Sequence, residues 1–348
     1  MWVTSSLATA LTPTAVALGN FDGVHRGHQQ VIEPILQESE ASQAIAVMPP
    51  AVDWQSRLES IKVPNLKENF ESKAGAETGH TYATVATFNP HPREFFSGQK
   101  WKLLTPQSEK VQQLSILGVE QLVLLPFDRE LASLSPQQFV EKILVQQLRA
   151  RRVSVGQDFC FGYKRSGTSA DLQAIASSYG IDVTIVSLQT CQGERISSSV
   201  IRQSLQQGEI TQANQLLGRP YTLTGVVVKG QQLGRTIGFP TANLQLPPEK
   251  FLPRQGVYCV RVGEPSLTSL LSPQCGVMNI GQRPTVSGSS LTVEIHLLDW
   301  SGDLYGQTLT VSLEQFLRPE QKFASLDALK TQIQTDCAAA RAFFETKG

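Results

Sequence analysis

The chain has 348 residues, of which 41% are hydrophobic and 17% charged, a globular composition that suggests two domains, or three at most. Lysine and arginine total 30, as do aspartate and glutamate, which argues against a broad nucleic-acid surface but leaves room for local phosphate sites. Five cysteines without a C-x-x-C pair, no signal-peptide pattern and no apolar run near the roughly 20 residues that span a membrane predict a cytoplasmic protein without membrane association.

The N-terminal half alternates short apolar runs with helical stretches. We predict strands at 15–18, 84–88, 121–125, 153–155 and 183–186, and helices at 28–37, 108–117, 136–149 and 170–179. Pro34 is expected to kink or shorten the first helix, and Gly118 and Gly180 to close two others. This alternation predicts a parallel, doubly wound sheet, whose ligands lie at the carboxyl ends of its strands.

Two changes of character set the expected domain limits. The segment from about 40 to 80 holds several prolines and has no sustained hydrophobic periodicity. We interpret it as a partly disordered insertion with a short helix near 54–61. From Tyr221 onward, short Val-, Thr- and Gly-rich runs predict an antiparallel barrel or sandwich, followed by a helix at 325–345. The expected organisation is a first domain at 1–205, a linker at 206–220 and a second domain at 221–348.

A glycine-rich segment, G-N-F-D-G-V-H-R-G-H at 19–28, follows the first strand and opens a helix. Glycines let backbone approach a phosphate, and the helix N-terminus offers free N–H groups. His25 and His28 place two imidazoles there, which could donate to a phosphate as charge develops. A capped turn with surface histidines and a zinc site formed with His91 remain the alternatives.

Three further segments fall at strand ends or helix starts of the same half. F-N-P-H-P at 88–92 is a stiff turn. In G-Q-D-F-C-F-G at 156–162, Asp158 could bind a ribose or an amide group of a ligand. The two phenylalanines of this segment either line the aromatic ring of a ligand or belong to the core. R-I-S-S-S-V-I-R at 195–202 opens a helix with serines that can cap it or contact phosphate, and Arg202 lies one turn inside. Their convergence on one sheet edge predicts a nucleotide site.

The C-terminal half carries a second set. The run from Gly225 through G-R-T-I-G-F-P-T-A-N at 234–243 predicts a mobile glycine flap, with Thr241 and Asn243 as oxygen ligands for Mg²⁺. The segment 279–285 is expected to be a rigid turn. Residues 292–299 alternate as a half-buried strand that places Glu294 on one face with Thr292 and His296. A glycine hairpin and a solvent-facing glutamate are the alternatives.

In this order and spacing, the motifs resemble the bacterial bifunctional riboflavin kinase/FAD synthetase (FMN adenylyltransferase) family over almost the whole chain outside the insertion. The resemblance implies a Rossmann-like nucleotidyltransferase domain, then a small Greek-key-like antiparallel β-barrel with a terminal helix. It implies phosphorylation of riboflavin to FMN, then transfer of AMP from ATP to FMN, giving FAD and pyrophosphate, with Mg²⁺ accompanying ATP.

The resemblance also implies roles for individual residues. As catalytic residues it implies Glu294, the base for the riboflavin hydroxyl, together with His25, His28 and Arg202. As ATP-binding residues it implies Gly19, Phe21, Asp22, Gly23, Gly27, Ser198, Ser199, Gly230, Gly234, Arg235, Gly238, Thr241 and Asn243, the last two also holding Mg²⁺. As flavin-binding residues it implies Asn89, His91, Pro92, Asp158, Phe159, Phe161 and Arg318. Two readings compete with this one: an enzyme that keeps one activity, and a flavin- or nucleotide-sensing binding protein. A homo-oligomer is compatible with the sequence.

Overall fold

The computed structural model describes residues 1–36, 80–191, 193–230, 234, 237–263, 273–285 and 288–347. They divide into two compact units: Met1–Trp101 with Gln107–Ile196, and Lys102–Pro106 with Ser197–Gly348. The predicted insertion, with its short helix near 54–61, lies outside the described residues except for its last position, His80. The expected domain limits at 205 and 221 stay a prediction.

The first unit is built on a six-stranded sheet in which every pairing is parallel. Its strands are β1 (Trp2–Thr4), β2 (Thr14–Leu18), β3 (Tyr82–Asn89), β4 (Gln121–Pro126), β5 (Ala150–Gly156) and β8 (Asp182–Val186), in the order β1-β4-β3-β2-β5-β8. Between β5 and β8 lies a two-stranded hairpin of β6 (Cys160–Phe161) and β7 (Gly167–Thr168), and after β8 a second of β9 (Thr190–Cys191) and β10 (Glu194–Arg195). The chain reverses direction across the sheet at β2, where α/β folds bind their ligands.

Helices connect these strands. They are α1 (Arg26–Leu36), α2 (Pro92–Ser97), α3 (Gln107–Ile116), α4 (Arg129–Ser133), α5 (Pro136–Phe139), which continues as a π-helix over Val140–Gln147, and α6 (Ser169–Ser177), with 3₁₀ turns at Leu7–Thr9 and Tyr163–Arg165. Pro34 lies inside α1 two residues before its end. Gly118 follows α3 with φ +90°, a left-handed conformation that glycine adopts without strain, as predicted from the sequence.

Both faces of the sheet are buried, which explains the continuous apolar runs of its strands. Val16 and Leu18 of β2 pack into one core cluster, whereas Ala15 and Ala17 pack into the other. The same alternation holds along β4. The prediction of a doubly wound parallel sheet is therefore confirmed.

The second unit is a closed six-stranded antiparallel barrel. Its strands are β11 (Tyr221–Val228), β12 (Ala242–Gln245), β13 (Gly256–Gly263), β14 (Gln274–Thr285), β15 (Gly288–Leu297) and β16 (Thr308–Pro319), in the order β11-β12-β15-β14-β13-β16. Strand β16 returns to pair with β13, so β16-β13-β14-β15 has the 4-1-2-3 order of a Greek key. The predicted Greek-key-like barrel is confirmed.

Three helices and one short segment complete this unit. The helices are α7 (Ser198–Gln207), α8 (Ile210–Leu217) and the terminal α9 (Leu326–Lys347). Helix α9 covers the outer face of the barrel, since Cys337 and Phe344 share a core cluster with Val257 and Val277. Residues 102–106 belong to the barrel unit through a parallel bridge between Leu103 and Lys250.

The structure differs from the sequence prediction at several elements. The 279–285 segment, predicted as a rigid turn, is the second half of β14 and pairs with β15 along its length. The expected linker contains α8, and the prediction omitted β1, β12 and α2. Within the described part of the chain, no helix is both long and apolar enough to cross a bilayer.

Candidate active sites

Three of the predicted motif turns follow adjacent strands. The glycine-rich loop follows β2, the Asn89–His91 turn follows β3, and the Gly156–Phe161 loop follows β5, and these are three adjacent inner strands of the sheet. Because the strands are parallel, all three turns lie at the same edge of the sheet. The predicted shared edge is confirmed for these three turns, whereas the fourth segment, 195–202, leads into α7 of the second unit.

His25 caps the helix that follows it. Its Nδ1 accepts a hydrogen bond from the backbone N–H of His28, three residues on, at 3.2 Å, and its side chain is 6% exposed. With Nδ1 as the acceptor, a neutral imidazole carries its proton on Nε2. His25 is thereby held as a potential donor beside a helix N-terminus.

The two imidazoles of the loop form a stack. The rings of His25 and His28 lie 3.6 Å apart at 12°, and His28 also contacts Phe21 at 5.2 Å. A Cβ on Gly27 would lie 3.3 Å from the His25 ring, and a Cβ on Gly19 would lie 3.3 Å from the Phe21 ring. The two glycines thus leave space in which both aromatic side chains fit.

The turn between β2 and α1 has an unusual backbone. Gly23 has φ +93°, and two non-glycine residues, Phe21 and Val24, have φ +46° and +42°. Phe21, Asp22 and Val24 are all buried. The predicted ATP-binding positions 21–23 therefore form a fixed, inward-packed turn, which favours a role of their backbone over a role of their side chains.

The turn after β3 starts α2 in a specific way. The Nδ1 of His91 accepts from the Arg93 N–H at 3.1 Å and caps the helix, while Pro92 occupies its first turn. The His91 ring stacks on Trp101 at 5.8 Å. The Asn89 carbonyl accepts from the Phe127 N–H at 3.0 Å. These contacts orient the three predicted flavin-binding residues without testing that role.

Asp158 and the two phenylalanines after it have different surroundings. The Asp158 carboxylate binds the Arg195 guanidinium, although 37 residues separate them. Phe161 is 5% exposed and packs on Phe139 in the core, whereas the half-buried Phe159 stacks on Phe161 at 5.8 Å. Of the two rings, Phe159 has the surface that a ligand ring can reach.

Helix α7, which carries Ser198, Ser199 and Arg202, belongs to the second compact unit. Its cap is Ser197, whose Oγ accepts from the Val200 N–H at 3.3 Å. The Arg202 guanidinium lies 4.7 Å from the centre of the Phe251 ring. The roles that the resemblance gives these three residues stay a prediction.

The zinc alternative finds no support in the geometry. In the described parts of the chain, no three His, Cys, Asp or Glu side chains are grouped as metal ligands. The Nδ1 atoms of His25 and His91 each accept from a backbone N–H, which fits a capping role.

In the barrel unit, strand register brings the predicted kinase residues together. Asn243 of β12 is the direct partner of Glu294 on β15, and Asn279 of β14 is the partner of Glu294 on its other side. Directly paired residues project from the same face of a sheet. The half-buried Glu294 therefore lies between two amide side chains, while its neighbours Val293 and Ile295 are buried on the opposite face.

Two glycines of the predicted flap, Gly230 and Gly234, pack closely against Asn243 and the segment just before it. A Cβ on Gly230 would overlap the Asn243 side chain, and a Cβ on Gly234 would overlap the Phe239 carbonyl and lie 3.4 Å from Thr241 Oγ1. Gly238 has φ +91°. The predicted ATP residues Gly230, Gly234, Thr241 and Asn243 are thus neighbours, whereas Arg235 lies outside the described residues.

Sequence reasoning assigned no site role to two residues that lie at this site. His296 Nδ1 donates to the Pro240 carbonyl at 2.9 Å, and its ring contacts Phe239 edge-on at 5.4 Å, so it supports the segment that leads to Thr241. Its spacing of two from Glu294 was a usable signal. Asn279 was missed because only the register of β14 and β15 reveals that it faces Glu294.

Arg318, predicted to lie near the flavin, makes a buried ion pair. Its Nε and a terminal nitrogen donate to the Asp336 carboxylate on α9 at 2.7 to 3.1 Å. Arg318 pairs with Val257, which pairs with Asn279, so it lies three strands from Glu294, roughly 14 Å along the sheet at about 4.8 Å per strand. This path runs around a closed barrel and gives no straight distance to a bound flavin, so the place predicted for Arg318 near the flavin stays a prediction.

Two protein-family models match the chain, one in its N-terminal part and one in its C-terminal part. A family model described as FAD synthetase matches residues 7–49 and 70–200, and one described as riboflavin kinase matches 217–344. The bifunctional riboflavin kinase/FMN adenylyltransferase of Escherichia coli K12 is 40% identical over 335 residues, 94% of this chain and 92% of that protein. Its Bacillus subtilis counterpart is 34% identical over 343 residues, 95% and 92% of the two chains.

A solved structure is also similar over nearly the full length. A crystal structure described as a macrolide-efflux protein from Streptococcus pneumoniae covers 97% of this chain and 98% of its own, with a TM-score of 0.74 and 27% identity. We assign the family from the curated relatives and the two family models, because they agree with the motifs that build both sites.

The two family models, one for a FAD synthetase and one for a riboflavin kinase, define the chain as a bifunctional transferase. The chain belongs to the bifunctional riboflavin kinase/FMN adenylyltransferase family. The family predicted from the sequence motifs is thereby confirmed.

Proposed function

We propose that the chain makes FAD from riboflavin in two ATP-dependent steps. The barrel transfers the terminal phosphoryl group of ATP to the riboflavin 5′-hydroxyl and gives FMN and ADP. The parallel-sheet domain then joins FMN phosphate to the α-phosphorus of a second ATP and releases pyrophosphate. The observation that carries the kinase assignment is the direct pairing of Asn243 with Glu294 beside the glycine flap.

In the kinase step, Glu294 takes the proton of the attacking hydroxyl. A carboxylate is an adequate base for this step because phosphoryl transfer depends mainly on positioning and on stabilising charge. The backbone at Gly230 and Gly234 closes over the phosphates, and the lack of a side chain lets it pass close to Asn243 and to the Phe239 carbonyl, with which a Cβ would collide. His296 holds the Phe239–Pro240 segment so that Thr241 stays beside Glu294's strand.

The same side chains fit Mg²⁺. The Thr241 hydroxyl, the Asn243 amide oxygen and the Glu294 carboxylate are hard oxygen donors, and Mg²⁺ prefers oxygen ligands shared with phosphate. When bound, the ion neutralises phosphate charge. Thr241 and Asn243 are the residues that would hold it, since both adjoin the glycine flap.

In the adenylyl step, the loop 19–28 receives the phosphates of ATP. The α1 N-terminus supplies backbone N–H groups, and His25 donates through Nε2 because its Nδ1 is occupied by the His28 N–H. His28 is fixed against His25 and Phe21. We propose that both imidazoles stabilise charge on the transferring and leaving phosphates, with Ser198, Ser199 and Arg202 of α7 contributing to the same step.

FMN binds at the same sheet edge. Asn89, His91 and Pro92 follow β3, and the Asp158–Phe161 loop follows β5, on either side of β2. Phe159 offers a half-exposed ring for the isoalloxazine, and Phe161 supports it from the core. In the kinase domain we propose that Arg318 helps to shape the riboflavin pocket.

The cellular context stays a proposal. A cytoplasmic location agrees with the five cysteines, each of which is a free thiol. The sequence is compatible with a homo-oligomer, and size measurements in solution would decide the oligomeric state.

The test of the proposed function is incubation with riboflavin, ATP and Mg²⁺, with flavins separated over time. FMN is expected to appear first and FAD to follow, and chelation of the metal should stop the formation of both. Tight flavin binding without turnover would favour the sensor reading, and FMN without FAD would favour a single activity.

A further inference from the structure

Lys110 is a buried lysine beneath the glycine-rich loop that neither the motifs nor the mechanism uses. It lies on the first turns of α3 and is 7% exposed. Lysines are rarely this buried unless a specific partner holds them. Its surroundings therefore indicate a role in the site.

The partner of Lys110 is the backbone of the loop. Lys110 Nζ donates to the Asn20 carbonyl at 2.8 Å, and Thr87 Oγ1 of β3 donates to the same carbonyl at 3.0 Å. One residue earlier, the Gly19 N–H donates to the Ala86 carbonyl at 3.3 Å. The start of the loop is thus fixed from two elements, α3 and β3.

The anchored carbonyl directly precedes the strained part of the turn. Phe21 and Val24 adopt left-handed φ values, which cost a non-glycine residue about 1–2 kcal/mol each. Such conformations persist only where the surrounding structure determines them. The turn leads into His25, whose cap on α1 orients the two imidazoles.

Charge distinguishes Lys110 from a neutral hydrogen-bond donor. Burial lowers its pKa from 10.5 to about 8, and the negative charge of Asp22, itself buried in the turn, acts in the opposite direction. Keeping a cation in this place opposes folding. A group that costs stability yet is held in a fixed position is typical of functional sites.

We propose that Lys110 is a positioning residue for adenylyl transfer, which holds the Asn20 carbonyl and so sets the turn that presents His25 and His28. This inference rests on the proposed function of the first unit. It gives Lys110 no contact with substrate; the residue acts through the loop backbone.

The first test compares Lys110→Met with Lys110→Gln, which keeps a donor without the charge. The kcat for FAD formation from FMN should fall about 10- to 100-fold in the Met variant and less in the Gln variant, because a hydrogen bond from a charged donor is lost. The KM for FMN should stay within about threefold. Riboflavin phosphorylation by the same preparation and the exposed-lysine variant Lys142→Met are the controls.

The second readout does not depend on activity. Backbone hydrogen exchange at residues 21–25 should rise at least about tenfold in Lys110→Met, while exchange in β2 stays unchanged and the melting temperature does not fall. The inference would be overturned if Lys110→Met showed unchanged hydrogen exchange and a normal kcat. It would also be overturned if the loss of activity in this variant tracked unfolding of the whole unit. A wild-type chain that forms no FAD would instead overturn the proposed function, and exchange would still decide the role of Lys110.

Discussion

Glu294 and Asn243 stand directly opposite each other on neighbouring strands of the barrel, so the proposed base and a proposed phosphate ligand share one face of the sheet. Glu294→Gln removes the base while keeping the shape of the side chain. We expect FMN formation to fall about 10²- to 10⁴-fold, with FAD formation from supplied FMN unchanged. Glu345→Gln, on the exposed side of α9, is the control and should retain both rates.

The flap glycines provide a steric test of the kinase site. Gly230→Ala and Gly234→Ala each place a Cβ on Asn243 or on the Phe239 carbonyl, so the flap has to move. The KM for ATP in the kinase reaction should rise at least about tenfold, since small displacements at a reacting site have large effects on rate and binding. Gly263→Ala, where a Cβ meets nothing within 4 Å, should be neutral. Equal effects of all three would contradict the close approach.

The histidine loop provides the corresponding test in the first unit. His28→Ala should lower FAD formation about 10²- to 10³-fold and make FMN accumulate from riboflavin. Gly27→Ala should act in the same direction more weakly, because its Cβ presses on the His25 ring at 3.3 Å. His80→Gln, whose side chain pairs with Glu120 at 2.9 Å, is the control. Normal FAD output from His28→Ala would refute the role of this histidine.

The Arg318–Asp336 pair should stabilise the barrel unit. Asp336→Ala leaves a largely buried guanidinium without its carboxylate, and breaking such a pair costs about 3–5 kcal/mol. We expect the melting temperature of this unit to fall by about 10 °C. Arg341→Ala breaks the exposed ion pair between α9 and Asp299 and should lower the melting temperature far less. Similar shifts in both variants would contradict the difference in burial.

Lys110 predicts a specific dependence of stability on pH. Its folded-state pKa is about 8 against 10.5 when unfolded, so between these values the unfolded chain binds more protons. Stability then rises with pH, and relative to Lys110→Met the wild type should gain about 3 kcal/mol over this window and nothing below pH 7. Asp22 is the charged group that acts on Lys110. Urea unfolding of both chains from pH 7 to 10 measures the difference, and a flat difference would contradict the shift.

The sequence was sufficient where local pattern decides the structure. Unbroken apolar runs and closing glycines located the central strands and the ends of α3 and α6, and the motif turns followed from those strands. The same signals failed at 279–285, where Asn, Gly and Pro resemble a turn. Pairing with β13 and β15 makes this segment a strand, and no local signal carries that register.

Long-range partners account for the other misses in the sites. The pairing of Asp158 with Arg195 was missed because no local pattern connects two residues so far apart in the chain, while the role predicted for Asp158 toward a substrate group stays a prediction. Lys110 reads as a surface lysine of a helix, and only the packing of α3 against the glycine-rich loop buries it. Phe161 and Phe159 look equivalent in sequence, but Phe161 packs on Phe139 in the core and Phe159 stacks on the outer side of Phe161.

The two reactions are proposed to take place at sites that work separately, and mixing two inactivated chains tests this most directly. Neither Glu294→Gln nor His28→Ala alone should convert riboflavin to FAD at an appreciable rate. Together, with ATP and Mg²⁺, they should produce FAD after a lag, because His28→Ala supplies FMN and Glu294→Gln adenylylates it. The assignment of one reaction to each domain would be contradicted if the folded mixture formed no FAD, His28→Ala formed no FMN and Glu294→Gln formed no FAD from supplied FMN.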